Sequence, residues 1–391
     1  MDSKQLSIGE KWAADLRSYE KGARVKTTVP QCEGCAHFIK GNALHCRKFS
    51  SDTKPRDVMF ARKECSEFHS STPLQIDISN EAQSRLFGGV FGFCVGDMLG
   101  VPVEFSSRQE RMSDPARELR AYGTYHQPFG TWSDDTSLML CLMDAMCEED
   151  LLNQLSRNML AFYKNGMFTP NGVVFDIGNS TAQALQKMAA GVSPVKCGGS
   201  STMDNGNGSL MRILPLAFAR TKWDDHTFIR MVEDVSSFTH AHPRSKLACI
   251  FYTYLASELY AGVERFRALD NTIRFITDNC KRTYASELAS YSYVLDKSFL
   301  AAESENIRSS GYVIHTLEAL LWSFYRTNSF RDAVLTAVNL GGDTDTIAAL
   351  AGGLAGIWYG YSAIPSNWVE NILKKQAIAD LSDKFRESVT K

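Results

Sequence analysis

Glycine recurs at every fourth position in two apolar segments of this 391-residue chain. The first series, in GGVFGFCVGDMLG, is Gly88, Gly92, Gly96 and Gly100, and the second, in AALAGGLAGIWYG, is Gly352, Gly356 and Gly360. A four-residue repeat places the glycines on one face of a helix. Because each glycine costs about 1 kcal/mol relative to alanine in a helix interior, the repetition needs a reason, and close approach of another backbone or a ligand supplies one. The pattern predicts two helices packed tightly at the centre of a domain.

From about residue 80 onward, apolar residues recur at spacings of three and four, which is typical of amphipathic helices. Examples are the runs 138–146, 250–260 and 317–325. Alternating strand patterns are scarce, and the β-α-β alternation of a nucleotide-binding parallel sheet is missing from the sequence. With 44% hydrophobic and 22% charged residues the composition is globular. We therefore predict an all-α domain over residues 80–391.

The charges of the whole chain nearly balance, with 42 Lys and Arg against 44 Asp and Glu. Such a balance provides no basic field for nucleic acid, so we expect no nucleic-acid partner. No run of about 18 apolar residues occurs, and the N-terminus lacks the apolar stretch of a signal peptide. We expect a cytoplasmic protein without a membrane partner, in which the cysteines stay reduced.

Four of the ten cysteines fall within a window of 34 residues. They are Cys32, Cys35, Cys46 and Cys65. Thiolates suit tetrahedral zinc, and the surrounding loop-forming sequence has too few apolar residues to build a core without a metal. We predict one structural Zn²⁺ held by all four cysteines in a module spanning residues 31–71. A mixed site with His37, His45 or His69, and buried thiols without a metal, are the alternatives.

The extension ahead of this module, residues 1–30, carries apolar residues at helical spacing. They are Ile8, Trp12, Leu16 and Tyr19. They predict an amphipathic helix that either packs on the protein itself or reaches over a partner or the active site. Residues 1–71 hold 13 Lys and Arg against 9 Asp and Glu. This excess indicates a solvated surface or a weak preference for anionic partners.

Two acidic clusters each follow a glycine and precede an apolar helical run. The first contains Ser133, Asp134, Asp135 and Thr136, and the second contains Asp343, Thr344, Asp345 and Thr346. Helix capping is one explanation, but each cluster offers three or more oxygen groups within a turn, more than a cap requires. Facing clusters would form a cage of hard oxygen ligands suited to Mg²⁺, Mn²⁺ or Ca²⁺, and cations would relieve the repulsion between carboxylates. The clusters therefore predict a two-metal site.

Five motifs in this order resemble those of the ADP-ribosylglycohydrolase family: GFCVGDMLGVPVEF, GTWSDDTSLML, GNGSLMRILPLA, THAHP and AVNLGGDTDTIAALAGGLAGIWYG. The segment PNGVVFDIGNSTAQAL is similar to the D-I-G motif of the bacterial branch, typified by the dinitrogenase reductase-activating glycohydrolase. The resemblance covers residues 80–365 and leaves out the cysteine module. It implies a compact domain of orthogonally packed helices with two Mg²⁺ or Mn²⁺ ions. Such a domain hydrolyses the bond between ribose C1″ of ADP-ribose and a protein side chain, with arginine the favoured linkage.

The resemblance also implies roles for individual residues. The implied metal ligands are Ser133, Asp134, Asp135, Asp343, Asp345 and Thr346. Ser133 replaces the threonine usual in the family and keeps the hydroxyl ligand. The implied catalytic residues are Asp135, Asp176 and Glu104: a carboxylate acts as base or proton shuttle, Asp176 opens or protonates the ribose, and Glu104 approaches the metals and gates the substrate. An Asx turn at Asp176 and plain surface exposure of Glu104 are the alternatives.

A glycine- and hydroxyl-rich loop, residues 197–211, is able to present backbone N–H groups to a diphosphate. By resemblance, the residues that bind substrate are Asn207, Gly208, Ser209, His240, Gly341 and Gly342. His240 and His242 shape the pocket or cap a helix, and Asp97 is expected to bind neighbouring backbone.

The leading functional hypothesis is removal of mono-ADP-ribose from an ADP-ribosylated protein. One alternative is an immunity protein that binds an ADP-ribosyltransferase toxin through the N-terminal extension. A second alternative is a hydrolase of small ADP-ribosyl compounds.

Overall fold

The computed structural model describes Cys35 and residues 74–390. The chain divides into two units between Thr72 and Pro73, and the account below concerns the second unit. The predicted helix in residues 1–30 lies outside the described residues. The same is true of the zinc module over 31–71, apart from Cys35, which is buried. The zinc site therefore stays a prediction.

Within residues 74–390 the chain forms fifteen α-helices. They are α1 Glu81–Gly100, α2 Arg108–Ser113, α3 Asp134–Ala145, α4 Leu151–Asn165, α5 Asn179–Ala189, α6 Pro215–Phe218, α7 Asp225–Ser237, α8 Pro243–Tyr260, α9 Arg265–Phe275, α10 Ser292–Leu295, α11 Val313–Tyr325, α12 Phe330–Asn339, α13 Thr344–Tyr359, α14 Ser366–Glu370 and α15 Lys375–Thr390. Strand pairing in this part of the chain is limited to three isolated bridges. The prediction of an all-helical fold is confirmed for the described unit.

Helices α1 and α13 pack against each other through their glycines at the centre of the core. A Cβ atom on Gly88 would lie 2.2 Å from the carbonyl oxygen of Gly356, and one on Gly92 would lie 2.4 Å from that of Gly352. Near the end of α1, a Cβ atom on Gly96 would lie 2.0 Å from the carbonyl oxygen of Ala348. As the residue numbers increase along α1, the numbers of the contacting residues decrease along α13, so the two helices are antiparallel. The prediction of two tightly packed helices is confirmed.

Helix α1 is fixed at both ends. The Asn80 side chain caps its N-terminus by accepting a hydrogen bond from the Gln83 N–H at 2.9 Å. At the other end Pro102 lies in a 3₁₀ turn, Val101–Val103, and the chain then leaves the helix axis at Glu104. Since α1 and α13 are antiparallel, this exit lies beside the N-terminus of α13: a Cβ atom on Gly100 would lie 2.3 Å from the Cα atom of Asp345.

The stretch Glu81–Val103 is the one helix, in the part of the chain that the structure describes, that is long and apolar enough to cross a membrane. Its mean hydropathy is 1.7 over the most apolar window, but 94% of that window is buried inside the fold. Its apolar surface is thus covered by other helices of the protein, as in the core helix of a globular domain.

Asp97 joins α1 to the N-terminus of α3. Its carboxylate accepts hydrogen bonds from the N–H groups of Ser133 at 2.9 Å and Thr136 at 3.0 Å. These two N–H groups belong to the first turn of α3, where no partner within the helix is available. The prediction that Asp97 binds neighbouring backbone is confirmed. The end of α1 and the beginnings of α3 and α13 therefore meet at one place in the core.

Candidate active site

The carboxylates of Glu104, Asp343 and Asp345 converge where α1 ends and α13 begins. Each residue can offer one oxygen atom, and these three atoms lie within 4.8 Å of one another. Glu104 is 5% exposed, Asp343 9% and Asp345 1%, so water hardly screens their repulsion. In this arrangement the three residues could hold a metal ion. The alternative that Glu104 is merely exposed on the surface is wrong.

The first acidic cluster is ordered by Ser133, the N-cap residue of α3. Its hydroxyl group accepts a hydrogen bond from the Asp135 N–H at 3.2 Å and lies 2.9 Å from the Asp135 carboxylate, to which it donates. The Thr346 hydroxyl of the second cluster donates to the same carboxylate at 3.3 Å. The two clusters therefore face each other, as the sequence predicted.

Capping does not account for the second cluster. Asp343 occupies the N-cap position of α13, yet its side chain forms no capping hydrogen bond. Instead its carboxylate accepts a hydrogen bond from the Asn207 side-chain amide at 2.6 Å, and the same amide donates to the Thr316 hydroxyl at 3.0 Å. Asn207 thus links the loop before the Leu210–Arg212 turn to the start of α13. The capping explanation holds for Ser133 and fails for Asp343.

Four carboxylate oxygens at this site are buried and lack a hydrogen-bond partner within the described residues. They are Glu104 Oε2, Asp134 Oδ2, Asp135 Oδ1 and Asp345 Oδ2. A buried carboxylate oxygen without a donor is costly unless a cation compensates it. Carboxylate and hydroxyl oxygens are the donors that Mg²⁺, Mn²⁺ and Ca²⁺ prefer. The residues present therefore fit a site for hard divalent cations.

The carboxyl groups of the site have strongly perturbed protonation. Burial, together with the charges of neighbouring carboxylates, raises the pKa values of Asp134, Asp135 and Asp345 well above the usual range for aspartate. The same two causes raise the pKa of Glu104 to about 10. These carboxyl groups resist ionisation unless a positive charge is near, and a bound cation would supply that charge.

A cavity of about 260 Å³ opens beside the carboxylates. Its lining includes these residues named from the sequence: Glu104, Asp134, Asp135, Asp176, Asn207, Gly208, His240, Asp343 and Thr346. Residues from six separate chain segments thus share one cavity, and the side chains of the two acidic clusters meet the polar loop there.

Asp176 lies in the loop before α5 and has a left-handed backbone conformation, with φ of 57°. Its carboxylate accepts a hydrogen bond from the Tyr125 hydroxyl. Burial raises the pKa of Asp176, and the bond from Tyr125 partly offsets that increase. The side chain is therefore held by a residue 51 positions away and not by an Asx turn.

Gly208 and His240 form the polar side of the cavity. A Cβ atom on Gly208 would lie 2.7 Å from His240 Cε1, so only glycine allows the ring to approach this closely. Burial, with the Arg212 guanidinium nearby, lowers the pKa of His240 to about 3, which keeps the ring neutral at physiological pH. His242 instead caps α8 and accepts a hydrogen bond from the Arg244 N–H at 3.1 Å.

Three predicted substrate-binding residues do not line the cavity. Ser209 is fully buried, and its hydroxyl group contacts Ser236 and Cys249 in the interior. Gly341 and Gly342 have φ of 72° and 74° and lie against the segment after Glu104. A Cβ atom on Gly341 would lie 2.6 Å from the Ser106 carbonyl oxygen, and Gly342 donates its N–H to the same oxygen at 2.8 Å. Both glycines shape the backbone around Glu104 and present no group to the cavity.

Two metal-ligand candidates, Ser133 and Asp345, are also outside the cavity lining. Both are almost fully buried. The Ser133 hydroxyl group contacts the Asp135 carboxylate, and an Asp345 oxygen lies within 4.8 Å of oxygens from Glu104 and Asp343. Sequence reasoning missed Phe105, Thr181 and Gly311, which do line the cavity, and Tyr125, which holds Asp176. For Thr181 the signal was the polar run after the D-I-G motif. For Tyr125 the sequence offered none.

The fold and the site together define a helical hydrolase domain with a carboxylate-lined cavity. The chain belongs to the ADP-ribosylglycohydrolase family, whose model matches residues 79–391. It is 30% identical to ADP-ribosylarginine hydrolase Tri1 of Serratia proteamaculans, over 81% of this chain and 82% of that protein. With ADP-ribosylarginine hydrolase Tri1 of Pseudomonas putida the identity is 32%, over 78% of each chain.

A third relative is the ADP-ribosyl-[dinitrogen reductase] glycohydrolase of Rhodospirillum rubrum, which is 27% identical over 74% of this chain and 90% of that protein. The similarity is therefore greater to the two Tri1 hydrolases than to this member of the branch that the D-I-G motif indicated. A solved structure described as an ADP-ribosylglycohydrolase-related protein complex matches with a TM-score of 0.64 and 27% identity. The superposition covers 79% of this chain and 99% of the solved chain.

Proposed function

We propose that this chain removes mono-ADP-ribose from arginine side chains of proteins in the cytoplasm, using a pair of divalent cations. The observation that carries the proposal is the convergence of Glu104, Asp343 and Asp345 beside a cavity that a polar loop also lines, with unpartnered oxygens on Glu104 and Asp345. The arginine linkage is supported by the two relatives that are ADP-ribosylarginine hydrolases.

The residues that would hold two ions, Mg²⁺ or Mn²⁺, are Ser133, Asp134, Asp135, Asp343, Asp345 and Thr346. Support comes from their oxygen-only donor set and from the hydrogen bond that joins Thr346 to Asp135. Bound divalent cations would orient the ribose hydroxyl groups and a water molecule and lower the pKa of that water. The Glu104 carboxylate lies beside this ligand set, within 4.8 Å of oxygens from Asp343 and Asp345.

The hydrolysis consumes one water molecule. Its oxygen forms a bond to ribose C1″ while the bond from C1″ to the guanidine nitrogen breaks, and that nitrogen gains a proton. The carboxylate of Asp135 or Asp176 accepts the proton that the water loses. Tyr125 orients Asp176 through its hydroxyl group. Gly208 and His240 line the part of the cavity that would receive ADP-ribose.

Release of ADP-ribose from arginine-, serine- and phosphate-linked substrates, measured with Mg²⁺, tests the proposal. We expect the arginine conjugate to be hydrolysed and the Asp343→Ala, Asp345→Ala double variant to be inactive. Asp278→Ala, which removes an exposed carboxylate outside the cavity lining, is the matched control and should keep full activity. Full activity of the double variant would contradict the metal mechanism. Exclusive hydrolysis of another linkage would contradict the arginine assignment.

A second candidate function is immunity against an ADP-ribosyltransferase toxin. It is favoured by the 78 residues that precede the family match and by their excess of positive charge. A chain limited to residues 73–391 that hydrolyses normally, but no longer protects cells from such a toxin, would assign toxin binding to the N-terminal part. Faster turnover of free ADP-ribosyl compounds than of modified proteins would instead favour the small-molecule alternative.

Residues 31–71 are proposed to hold a structural Zn²⁺ through the four clustered cysteines. Metal analysis of the purified full chain tests this, with one zinc per chain expected. The Cys32→Ser, Cys35→Ser variant should lose it. Retention of zinc by that variant would contradict the proposed ligand set.

A further inference from the structure

Phe105 places an exposed aromatic ring at the candidate active site. It follows Glu104 directly, lines the same cavity as Glu104 and Asp176, and is 69% exposed. Single exposed apolar side chains are common on protein surfaces, so the exposure of Phe105 is notable only because its ring lies at the cavity that the candidate site residues line. Among the described residues, Phe105 is also the only phenylalanine, tyrosine or tryptophan in the cavity lining.

The backbone holds this ring outward against the preference of the residue. Phe105 has φ of 61°, in the left-handed region that a bulky residue rarely adopts. Its N–H donates to the Gly342 carbonyl oxygen at 2.7 Å, and this bond ties the strained residue to the glycine pair before α13. Strained residues of this kind concentrate where function requires a fixed geometry.

Left-handed backbone conformations are concentrated around Tyr125. Of the seven non-glycine residues with positive φ among residues 74–390, four belong to this neighbourhood. They are Phe105, Tyr122, His126 and Asp176. Three lie within the segment 105–126, which carries Tyr125, and the fourth is bound by Tyr125.

Two more aromatic rings, those of Tyr125 and Phe175, extend the aromatic surface that begins at Phe105. The ring of Tyr125 lies 6.4 Å from that of Phe105, with an interplanar angle of 61°, and 5.4 Å from that of Phe175. The hydroxyl group of Tyr125 donates to Asp176. The rings therefore stand beside the carboxyl groups of Glu104 and Asp176, so that aromatic surface and acidic side chains occur together.

We propose that the exposed face of Phe105 binds the guanidinium group of the modified arginine and thereby selects arginine over serine linkages. This inference rests on the proposed function and names the leaving group that the ring receives. A guanidinium is planar and cationic, so it stacks on an aromatic face while neighbouring carboxylates complement its charge. A serine side chain offers neither a cation nor a planar group.

The test compares Phe105→Leu, which keeps an apolar side chain and removes the ring, with Phe105→Tyr, which keeps the ring. Steady-state hydrolysis is measured on ADP-ribosyl-agmatine and on an ADP-ribosyl-serine peptide, and calorimetry gives the affinity for free ADP-ribose. Phe266→Leu is the matched control, because Phe266 is also an exposed phenylalanine but lies on α9, outside the cavity lining. Melting temperatures verify that all three variants fold.

We expect Phe105→Leu to raise KM for ADP-ribosyl-agmatine about three- to tenfold, with serine-linked turnover and ADP-ribose affinity unchanged. Phe105→Tyr, which keeps the ring, should have the wild-type KM, and Phe266→Leu should behave as wild type. An unchanged KM in Phe105→Leu overturns the inference while leaving the proposed function intact. An equal loss on both conjugates, or weaker binding of free ADP-ribose, assigns the ring to the nucleotide instead and also overturns it. Wild-type protein that never cleaves the agmatine conjugate overturns the proposed function itself, and the inference with it.

Discussion

The Thr346 hydroxyl group donates a hydrogen bond to the Asp135 carboxylate at 3.3 Å, although the two residues are 211 positions apart in the chain. Thr346 lies in the first turn of α13 and Asp135 in the first turn of α3, so the bond joins the two acidic clusters directly. Both residues are buried, at 4% and 2% exposure. The ligand set of the proposed cation site is therefore assembled by the tertiary fold and not by either segment alone.

We expect Mg²⁺ or Mn²⁺ to raise the melting temperature of the metal-free protein at pH 7.5. A cation compensates carboxylates whose pKa values burial and repulsion raise. In Asp345→Asn the rise should be mostly lost, whereas Asp278→Asn should keep it. Thermal melting in EDTA and with each cation measures the effect. An Asp345→Asn protein that responds like wild type would remove Asp345 from the ligand set.

The cation effect should also depend on pH. In the metal-free protein the raised pKa values, such as about 6 for Asp97 and about 10 for Glu104, mean that the folded state binds more protons than the unfolded state above pH 4. The contribution of these groups to stability is therefore greatest at low pH and declines as pH rises through the folded pKa values. Since cations compete with protons, stabilisation by Mn²⁺ should be greater at pH 8 than at pH 5.5.

His240 should make the protein sensitive to acid. Its folded pKa of about 3 lies below its ordinary value of 6.5, so below pH 6.5 the unfolded state binds the proton more readily. The contribution of the neutral ring is complete above pH 6.5 and falls with pH, by about 2 kcal/mol between pH 7.5 and 5. Urea unfolding of wild type and His240→Gln at both pH values measures it. The variant should lose less stability on acidification, and equal losses would contradict the buried neutral state.

Asp176→Asn should lower kcat by about 10²- to 10³-fold, because the amide neither accepts nor donates the proton that the reaction moves. Tyr125→Phe removes only the hydrogen bond that orients Asp176, so we expect a smaller loss. Both variants should retain the melting-temperature rise with Mg²⁺, since neither is in the proposed ligand set. If Asp176→Asn instead raised KM alone, the residue would bind substrate without moving a proton.

Gly96→Ala should destabilise the fold by about 2–3 kcal/mol or more. The added Cβ atom would lie 2.0 Å from the Ala348 carbonyl oxygen, and no side-chain rotation relieves a clash with backbone. Gly178→Ala is the control, because nothing lies within 4 Å of its Cβ position. The control should change the free energy of unfolding by no more than about 1 kcal/mol. Chemical unfolding of both variants decides between helix propensity, which favours alanine at position 96, and packing, which forbids it.

The sequence predicted the features that depend on a repeating local pattern. The glycine series predicted the pairing of α1 with α13 because a face of small residues has few other uses in a buried helix. The acidic clusters were recognised because each exceeds what a helix cap requires. The family motifs then indicated Glu104 and Asp176, whose spacing in sequence gives no sign that they share a cavity.

The details that the sequence missed depend on long-range contacts. Ser209 lies in a motif expected at the substrate, but the turn that begins at Leu210 directs its hydroxyl group toward Ser236. Tyr125 has no motif, and only the fold places it against Asp176. The hydrogen bonds of an N-cap aspartate likewise depend on the tertiary structure. The Asp343 carboxylate accepts a hydrogen bond from the Asn207 side chain instead of capping its own helix.

The glycine-lined contact between α1 and α13 has a consequence for how the protein tolerates change. Where two helices touch through main-chain atoms, no rotamers are available to adjust the distance between them. The distance from Glu104, after α1, to Asp343 and Asp345, at the start of α13, is then set by the backbones of the two helices. The sequences of the loops around the cavity can change without altering this distance. Variation in substrate preference should therefore accumulate around Phe105 and the 197–211 loop, while the spacing of the two acidic clusters stays constant through warming and mutation of the periphery.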